Sequence, residues 1–396
     1  MQLAHKIRIF PNQAQEQALN KACGVARFAW NWALSRWDEK YKAKEQVSES
    51  SLRKELNAIK GTEFPWMLEV SKCAPQQAII NLGKAFDGFF KGLKGKHKGK
   101  PGKPKYKSKK NAKQSFYLDN VNERIKGDKF HLPHLKRGIR MAEQVRFQGK
   151  ILSYTVSRDL DRWYVSVLVE TSVSELPKTS KIVGVDLGIK TLATLSDGSV
   201  FENPKLLKIQ EKRLARQARE LAKAQKGSKN RVKKRLKLAK THRKIRLTRR
   251  DVINQATTKL VNNYDTIVLE GLKVQNMLKN RKLSKAISDC GFGLFREMLS
   301  NKCKIYGKEL IVADTFFPSS KTCSSCGVKK IDLKLSDRTF RCGGCGFEGC
   351  RDWNAAINLE KYGLAARNLK PAEIGSALVR QAPVYETGSK LTGCNC

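Results

Sequence analysis

The chain has 396 residues and carries 79 Lys and Arg against 36 Asp and Glu, a formal net charge of +43 at pH 7. Hydrophobic residues make up 40% of it, which excludes a disordered chain and allows two or three domains with cores of their own. Because so much like charge opposes compaction unless a polyanion neutralises it, we expect nucleic acid to be the partner.

Cysteine usage and the N-terminal sequence indicate the compartment. The stretch MQLAHKIRIFPNQ carries Lys6 and Arg8 where a signal peptide needs an apolar core, and no apolar run approaches the roughly 20 residues of a membrane span. Eleven cysteines is an odd number, and four of them form two C-x-x-C pairs. This usage favours metal binding in a reducing compartment, so we expect a cytoplasmic protein.

The first half of the chain shows a strand pattern, then helices, then strands again. The N-terminal stretch alternates like a strand, and residues 11–90 have helical periodicity. Residues 91–111 contain many Lys with Gly and Pro and no acid, which predicts either a phosphate-gripping strap or a bare linker. Residues 114–170 have the sequence pattern of strands, with a hairpin turn at 159–161. Together with the first strand, they would close a small barrel.

The second half predicts an α/β domain with a long basic insertion. KIVGVDLGIKTLATLSDG reads as two strands, and TIVLE and ELIVAD as two more. Between the first and second pair lies a predicted helical hairpin with a basic outer face and an apolar seam that includes Leu207, Leu214 and Leu221. A helix over Phe292–Tyr306 and a closing helix from Arg351 complete the α/β pattern.

Four cysteines have the spacing of a zinc ribbon. Cys323 and Cys326 are separated by fifteen residues from a second C-x-x-C pair, Cys342 and Cys345. Four thiolates fill a tetrahedral site and leave no water to activate, so we expect one structural Zn²⁺ without a catalytic role.

Three acids lie at the ends of predicted elements. Asp186 interrupts an apolar strand, Glu270 closes TIVLE, and Asp352 opens a helix. Taken singly, each acid has a non-catalytic explanation. Glu270 could be a surface acid at the end of a strand, and Asp352 could be a charge at the end of a helix that the helix dipole favours. Together they suggest a site for two divalent ions acting on phosphate, because Mg²⁺ prefers carboxylate oxygens.

The motifs that carry these residues resemble a known family. In order, GVDLGIKTLATLSDG, VLEGLKVQNM, TCSSCG with RCGGCG, and RDWNAAIN look like the RuvC-like nuclease of TnpB, the RNA-guided endonuclease of bacterial insertion sequences and a relative of compact type V CRISPR effectors. KIRIFPNQAQEQALNKACGVARFAWNWAL, KSKKNAKQSF and the basic hairpin agree. The resemblance runs from Met1 to about Leu364.

This resemblance implies the site residues and cofactors. Asp186, Glu270 and Asp352 correspond to the family's catalytic acids, which hold two Mg²⁺ ions. The implied partners are a guide RNA from the protein's own element and double-stranded target DNA, with the protein a monomer in the RNA complex, in the bacterial cytoplasm or nucleoid. Cys350 stands where many relatives have Asp or His, and we expect it to take no direct part.

The implied fold class is α/β plus all-β and helical parts, with an RNase H-like (RuvC) nuclease domain that contains an inserted zinc ribbon. A small β-barrel, the wedge, precedes it and is interrupted by a helical recognition domain. The predicted parts are the first wedge strand (1–10), the recognition domain (11–100), the wedge barrel (101–178), the nuclease (179–320, with the basic hairpin at 204–262), the zinc ribbon (321–346), the final nuclease helix (347–365) and a flexible tail (366–396).

Nucleic-acid contacts are predicted in two sets. Candidates for reading the flanking motif of the DNA are Lys72, Gln76, Gln77 and Asn120, since amide side chains suit adenine edges; a solvent-facing Gln is the alternative. Candidates for RNA or DNA backbone contact are Lys107, Lys109, Lys110, Lys233, Lys234, Arg235 and Lys237.

The sequence therefore predicts an RNA-guided, Mg²⁺-dependent endonuclease that cleaves double-stranded DNA next to a short flanking motif. Two alternatives stay open. One is a DNA transposase or resolvase of the same fold that needs no RNA, and the other is a non-catalytic nucleic-acid-binding regulator.

Overall fold

The structure is a computed structural model that describes residues 1–95, 102–110, 112–121, 123–334 and 336–368. It divides into two compact units, Met1–Ser172 and Val173–Cys396. Of the predicted flexible tail, the part after residue 368 lies outside the described residues. Across the described residues, every helix is too short or too polar to cross a membrane.

The first unit contains an antiparallel sheet of seven strands. They are β1 (Gln2–Phe10), β2 (Ser115–Asp119), β3 (Ile125–Lys126), β4 (Lys129–Phe130), β5 (Ile139–Met141), β6 (Lys150–Asp159) and β7 (Arg162–Glu170). The strand order is β2-β6-β7-β1-β5-β4-β3. β1 therefore lies inside a sheet whose other strands follow much later in the chain, and its buried Ile7 and Ile9 contribute to the core.

The helices of the first unit are inserted between β1 and β2. They are α1 (Gln13–Lys42), α2 (Glu49–Ile59), a 3₁₀ turn (Pro65–Glu69) and α3 (Cys73–Leu93). α1 begins at a capping box in which Asn12 and Gln15 each accept a hydrogen bond from the other's backbone N–H, both at 2.9 Å. α1 and α3 pack together through a stacked pair, Trp37 and Phe86, with ring centroids 4.2 Å apart.

The second unit is built on a mixed sheet of five strands. They are β8 (Ile182–Leu187), β9 (Thr191–Leu195), β10 (Val200–Glu202), β11 (Thr266–Leu269) and β12 (Glu309–Val312), in the order β10-β9-β8-β11-β12. β8, β11 and β12 are parallel, and β9 and β10 are antiparallel. A separate two-stranded sheet pairs β13 (Thr339–Arg341) with β14 (Glu348–Cys350).

Helices cover both faces of the five-stranded sheet. They are α4 (Leu206–Ala222), α5 (Lys229–Asn263), α6 (Val274–Met277), α7 (Ser284–Cys290), α8 (Phe292–Tyr306) and α9 (Arg351–Asn368). Strand alternation divides the core: Leu269 of β11 packs with Phe295 of α8, whereas the neighbouring Val268 packs with Leu359 of α9. The mixed α/β class predicted from the sequence is confirmed.

In the basic hairpin, the contact between α4 and α5 differs from the apolar seam that the sequence predicts. Leu207, Leu214 and Leu221 are only half-buried. The side chain buried most fully on α4 is Gln217, 1% exposed, and it accepts a hydrogen bond from the Thr241 hydroxyl of α5 at 2.9 Å. A polar contact therefore joins the two helices where an apolar one was predicted.

Candidate functional site

Two of the three predicted acids meet at one edge of the five-stranded sheet. β8 and β11 are parallel, and their register pairs Val185 with Leu269. The next residues, Asp186 and Glu270, therefore stand side by side where the two strands end. The carboxyl ends of parallel strands are where ligands bind in open α/β sheets, and both acids are half-buried there.

α9 brings the third acid to this edge because it lies directly on the backbone of β8. A Cβ added at Gly184 would lie only 1.9 Å from the Ala356 carbonyl oxygen of α9, so only glycine permits this approach. Trp353 anchors the start of the helix by donating its indole N–H to the Ser196 carbonyl at 3.0 Å. Asp352, in the first turn of α9, is thereby held over β8.

The carboxylates of Glu270 and Asp352 lie near enough to Asp186 to affect its ionisation. Burial raises the pKa of Asp186 well above its ordinary value, and the neighbouring carboxylates of Glu270 and Asp352 raise it further. The Arg351 guanidinium opposes this rise, and it also pairs with Asp352 at 3.1 Å. Burial likewise raises the pKa of Glu270. Carboxylates are the donors that Mg²⁺ prefers; among the described residues, only the cysteine cluster considered below has three or more His, Cys, Asp or Glu ligand atoms within 4.8 Å of one another.

An open cleft of about 760 Å³ begins at Glu270 and runs between the loop after β11 and the first turns of α8. Its wall includes the cations Lys273 and Arg296 as well as apolar groups such as Leu272. An acid with basic groups beside it can hold a divalent ion and a phosphate together.

The four predicted zinc ligands are gathered into one cluster. Among the residues described, Cys323, Cys326, Cys342 and Cys345 are the group whose ligand atoms all lie within 4.8 Å of one another. The sulfurs of Cys323 and Cys345 are 3.7 Å apart, and those of Cys326 and Cys342 are 3.5 Å apart. Tetrahedral Zn–S bonds of about 2.3 Å place sulfurs about 3.8 Å apart, so the cluster fits one zinc ion.

Each C-x-x-C pair forms a tight turn closed by a glycine with positive φ. Gly327 (φ +78°) donates its N–H to the Cys323 carbonyl, and Gly346 (φ +72°) donates to the Cys342 carbonyl. Burial acts to raise the pKa of Cys342, but hydrogen bonds from the backbone N–H groups of Cys345 and Gly344 lower this pKa to about 6. The thiolate is the form that binds zinc.

The cysteine cluster is tied to the helix that carries Asp352. Asn354 accepts a hydrogen bond from the Ser324 N–H at 2.8 Å and donates to the Thr322 carbonyl at 2.7 Å. One turn later, Asn358 donates to the Thr322 and Ser319 carbonyls, both at 2.7 Å. These asparagines were not predicted from the sequence, but the N-x-x-x-N spacing in RDWNAAIN is a signal for them, since residues four apart share one helix face.

The residues predicted to read the flanking motif divide into two groups. Lys72 is exposed at the start of α3, and Gln76 and Gln77 are half-buried one turn further on. Gln77 donates to Asn81 at 3.1 Å. The amide of Asn120 is already engaged within the first unit, because it donates to the Ile151 carbonyl at 2.8 Å and accepts from the Tyr154 hydroxyl at 2.7 Å.

Of the predicted strap (residues 91–111), residues 96–101 and 111 lie outside the described residues. Residues 91–93 form the end of α3, and residues 102–110 are fastened to α1. The backbone of Lys107 exchanges two hydrogen bonds with the Asn31 amide, at 2.8 and 2.9 Å, and Trp30 donates to the Lys105 carbonyl at 3.0 Å. The Lys107 ammonium lies 3.3 Å from the centre of the Trp30 ring. Burial lowers the pKa of Lys107 to about 8, whereas Lys109 and Lys110 are exposed.

The cations predicted on the hairpin lie near the start of α5. Lys233, Arg235 and Lys237 are exposed and Lys234 is half-buried. Acids are rare on the hairpin, so this surface is strongly positive.

Comparisons with known proteins show the family. Residues 164–281 match the family described as "Probable transposase", residues 292–359 match "Cas12f1-like, TNB domain", and residues 1–46 match "Helix-turn-helix domain". The chain is 36% identical over 397 residues to a Streptomyces pristinaespiralis protein named "Putative RNA-guided DNA endonuclease", covering 97% of each chain. It is 29% identical over 380 residues to the Escherichia coli protein "Putative RNA-guided DNA endonuclease InsQ", covering 91% and 92%.

Among solved structures, the "mini-RNA-guided endonuclease CRISPR-Cas_phi3" aligns over 91% of this chain and 92% of its own, with 11% identity and a TM-score of 0.48. The near full-length sequence matches define a class of nucleic-acid enzymes encoded by mobile elements. The chain belongs to the TnpB family, and the family predicted from the sequence motifs is thereby confirmed.

Proposed function

We propose that this protein is an RNA-guided, Mg²⁺-dependent endonuclease that cuts double-stranded DNA next to a short flanking motif. The observation that carries the proposal is the convergence of Asp186, Glu270 and Asp352, whose carboxylates are close enough for the last two to raise the pKa of the first. The names of the curated relatives support the use of a guide RNA, and the net charge of +43 suits two nucleic-acid partners.

The three acids would hold two Mg²⁺ ions, which when bound supply an activated water and stabilise the departing 3′ oxygen. The rest of the site positions these acids and the phosphate. Arg351 pairs with Asp352 at 3.1 Å and so orients its carboxylate. Lys273 and Arg296 line the cleft beside Glu270, where they attract the phosphate backbone and counter its charge.

The finer architecture is part of the same proposal. The five-stranded sheet with helices on both faces would be the RNase H-like (RuvC) nuclease domain, and the cysteine cluster a zinc ribbon inserted before its last helix. The seven-stranded sheet would form the wedge barrel, with α1 to α3 as the recognition domain. These assignments are supported by the element order and by the match of residues 292–359 to "Cas12f1-like, TNB domain".

Within the recognition domain, we propose Lys72, Gln76 and Gln77 as readers of the flanking motif. They lie together at the start of α3, and none of them is fully buried. Asn120 would have to exchange its bonds to Ile151 and Tyr154 before it contacted a base.

Backbone contact is proposed for the exposed cations of the strap and the hairpin, which are Lys109, Lys110, Lys233, Arg235 and Lys237, with the half-buried Lys234 beside them. For Lys107, the geometry supports a different role. Its ammonium lies on the Trp30 ring and its backbone is bonded to Asn31, so it fastens the strap to α1.

The test is to express the protein with its native flanking locus, purify it and sequence the RNA that accompanies it. The proposal predicts one discrete RNA that maps to the end of the gene and runs into neighbouring sequence. With Mg²⁺, the complex should then cut double-stranded DNA that matches this RNA and leave a mismatched target intact. Cleavage without any RNA would favour the transposase or resolvase alternative. Heterogeneous cellular RNA with no cleavage would favour the regulator.

A further inference from the structure

An exposed aromatic side chain stands beside the cleft and has no role in the site described so far. Phe316, in the loop after β12, is 84% exposed, more than any other aromatic side chain in the described part of the chain. A fully solvated phenyl ring forgoes the free energy of burial that usually keeps Phe inside a protein. Such a ring therefore calls for an explanation in terms of a partner.

The loop holds Phe316 outward by burying its neighbours. The Phe316 N–H donates to the Asp314 carboxylate at 3.1 Å. The next residue, Phe317, packs edge-on against Tyr362 of α9, with ring centroids 4.8 Å apart. A Cβ added at Gly271 would lie 2.4 Å from the Ala313 carbonyl oxygen, so the loops after β11 and β12 are in backbone contact. Phe316 is thus presented by an anchored loop.

The exposed ring is coupled to the wall of the cleft. The Lys273 ammonium lies 5.2 Å from the centre of the Phe316 ring, within cation–π range. Lys273 also lines the cleft that begins at Glu270, together with Arg296. An exposed aromatic ring therefore lies beside one of the cations that line this cleft.

We propose that Phe316 stacks on an unpaired base of the DNA strand being cut, while Lys273 and Arg296 contact its phosphates. Single-stranded nucleic acid is the partner that matches this surface, because a base face stacks on an aromatic ring whatever its sequence and the flanking phosphates pair with cations. A guided enzyme must accept any sequence at this point. This inference rests on the proposed function and adds a residue that positions the strand.

The experiment uses the complex purified with its own RNA and a guide-matched DNA carrying 2-aminopurine at successive positions around the cut. The variants are Phe316→Ala, Phe316→Tyr and a control, Val200→Ala, which removes part of an exposed apolar side chain on β10 at the opposite edge of the sheet. Quenching of the 2-aminopurine fluorescence is measured in proteins that also carry Asp186→Ala, so that the DNA is bound but not cut. Cleavage rates are measured in proteins that keep Asp186.

We expect quenching at one or two positions that Phe316→Ala abolishes and Phe316→Tyr retains. Phe316→Ala should also lower the single-turnover cleavage rate roughly 5- to 150-fold, the loss expected for one base stack, whereas Val200→Ala should change neither readout. Normal quenching and rate in Phe316→Ala would overturn the inference and leave the proposed function standing. If the wild-type complex cuts no DNA, the proposed function fails. The 2-aminopurine quenching then still tests the stacking by itself, and its absence at every position would overturn the inference.

Discussion

Asn354 of α9 and Ser324 of the first cysteine turn are joined by a buried hydrogen bond of 2.8 Å, and the two residues are 0% and 6% exposed. The same asparagine donates to the Thr322 carbonyl. Asp352 lies two residues before Asn354. The helix α9 therefore carries a candidate catalytic acid and also binds the first cysteine turn. This accounts for the short separation in sequence between the C-x-x-C pairs and the candidate acid Asp352.

We predict that Asn354→Ala uncouples the cluster from α9. The buried Ser324 N–H would lose its partner, at a cost of about 1–3 kcal/mol for the unsatisfied group, while the Thr322 carbonyl would keep its bond from Asn358. The free energy of unfolding should fall accordingly in urea titration, and DNA cleavage should fall with it. Asn262→Ala, at an exposed position of α5, is the matched control and should change neither quantity. Unchanged stability in Asn354→Ala would contradict the coupling.

Zinc content should depend on the four thiolates and stay independent of the residues between them. Metal analysis is expected to find one zinc per chain in the wild-type protein and much less in Cys342→Ser, because a tetrahedral site needs all four ligands. Solubility should decline before any chemical step is affected, since the site is structural. Ser325→Ala, between two of the ligands, should keep its zinc. A soluble, fully active Cys342→Ser protein would refute a structural role for the metal.

Gly184→Ala should displace α9 from the sheet. Its new methyl group would overlap the Ala356 carbonyl oxygen at 1.9 Å and the Glu360 nitrogen at 2.5 Å, and neither backbone can move without shifting the helix. We expect a loss of about 4 kcal/mol or more in unfolding free energy, or failure to fold, and no cleavage. At Gly88, in the helix α3, an added Cβ meets nothing within 4 Å, so Gly88→Ala should be tolerated. Chemical denaturation of both variants checks this.

The stability of the metal-free protein should depend on pH through Asp186. Because its folded-state pKa is raised, the stability that protonation contributes is complete below the ordinary Asp value of 3.8 and is lost as the pH rises through the folded value. Asp186→Asn cannot ionise. In chelator at neutral pH it should therefore unfold at least about 2 °C above the wild type.

Mg²⁺ provides the matching control for that experiment. Added Mg²⁺ should raise the wild-type unfolding midpoint, since a ligand that binds the folded state stabilises it, and it should have little effect on Asp186→Asn. Equal responses of the two proteins to Mg²⁺ would show that Asp186 takes no part in binding the ion.

Reversing the charges of Lys233, Arg235 and Lys237 to Glu should weaken retention of the copurifying RNA. Loss of three phosphate contacts to a single strand should lower the slope of log affinity against log salt by about 2. The same reversal at Lys42, Lys44 and Lys54, exposed cations of the first unit, provides a control with equal change in net charge. Identical salt slopes for both variants would mean that the hairpin is only a solvated surface.

The sequence was most informative where a chemical requirement coincides with local spacing. Two C-x-x-C pairs predict their own cluster. Acids at the ends of elements in one α/β domain predict a common location, and Asp186 and Glu270 do lie side by side, because the parallel strands β8 and β11 end together. Contacts between distant segments could not be predicted in this way. The hydrogen bond between Asn120 and Tyr154 and the contact of Lys107 with the Trp30 ring depend on tertiary packing. So does the hydrogen bond of the buried Gln217, which lies where an apolar contact was predicted.

The most direct test of the candidate centre is the rate at which RNA-loaded Glu270→Gln cuts guide-matched double-stranded DNA in Mg²⁺. The substitution keeps the size of the side chain and removes one ligand charge beside Asp186. With RNA occupancy equal to that of the wild type, we expect the rate to fall more than about 100-fold, while Glu202→Gln, at an exposed position of β10, cuts normally. Undiminished cleavage by Glu270→Gln would contradict the assignment of this sheet edge as the nuclease centre.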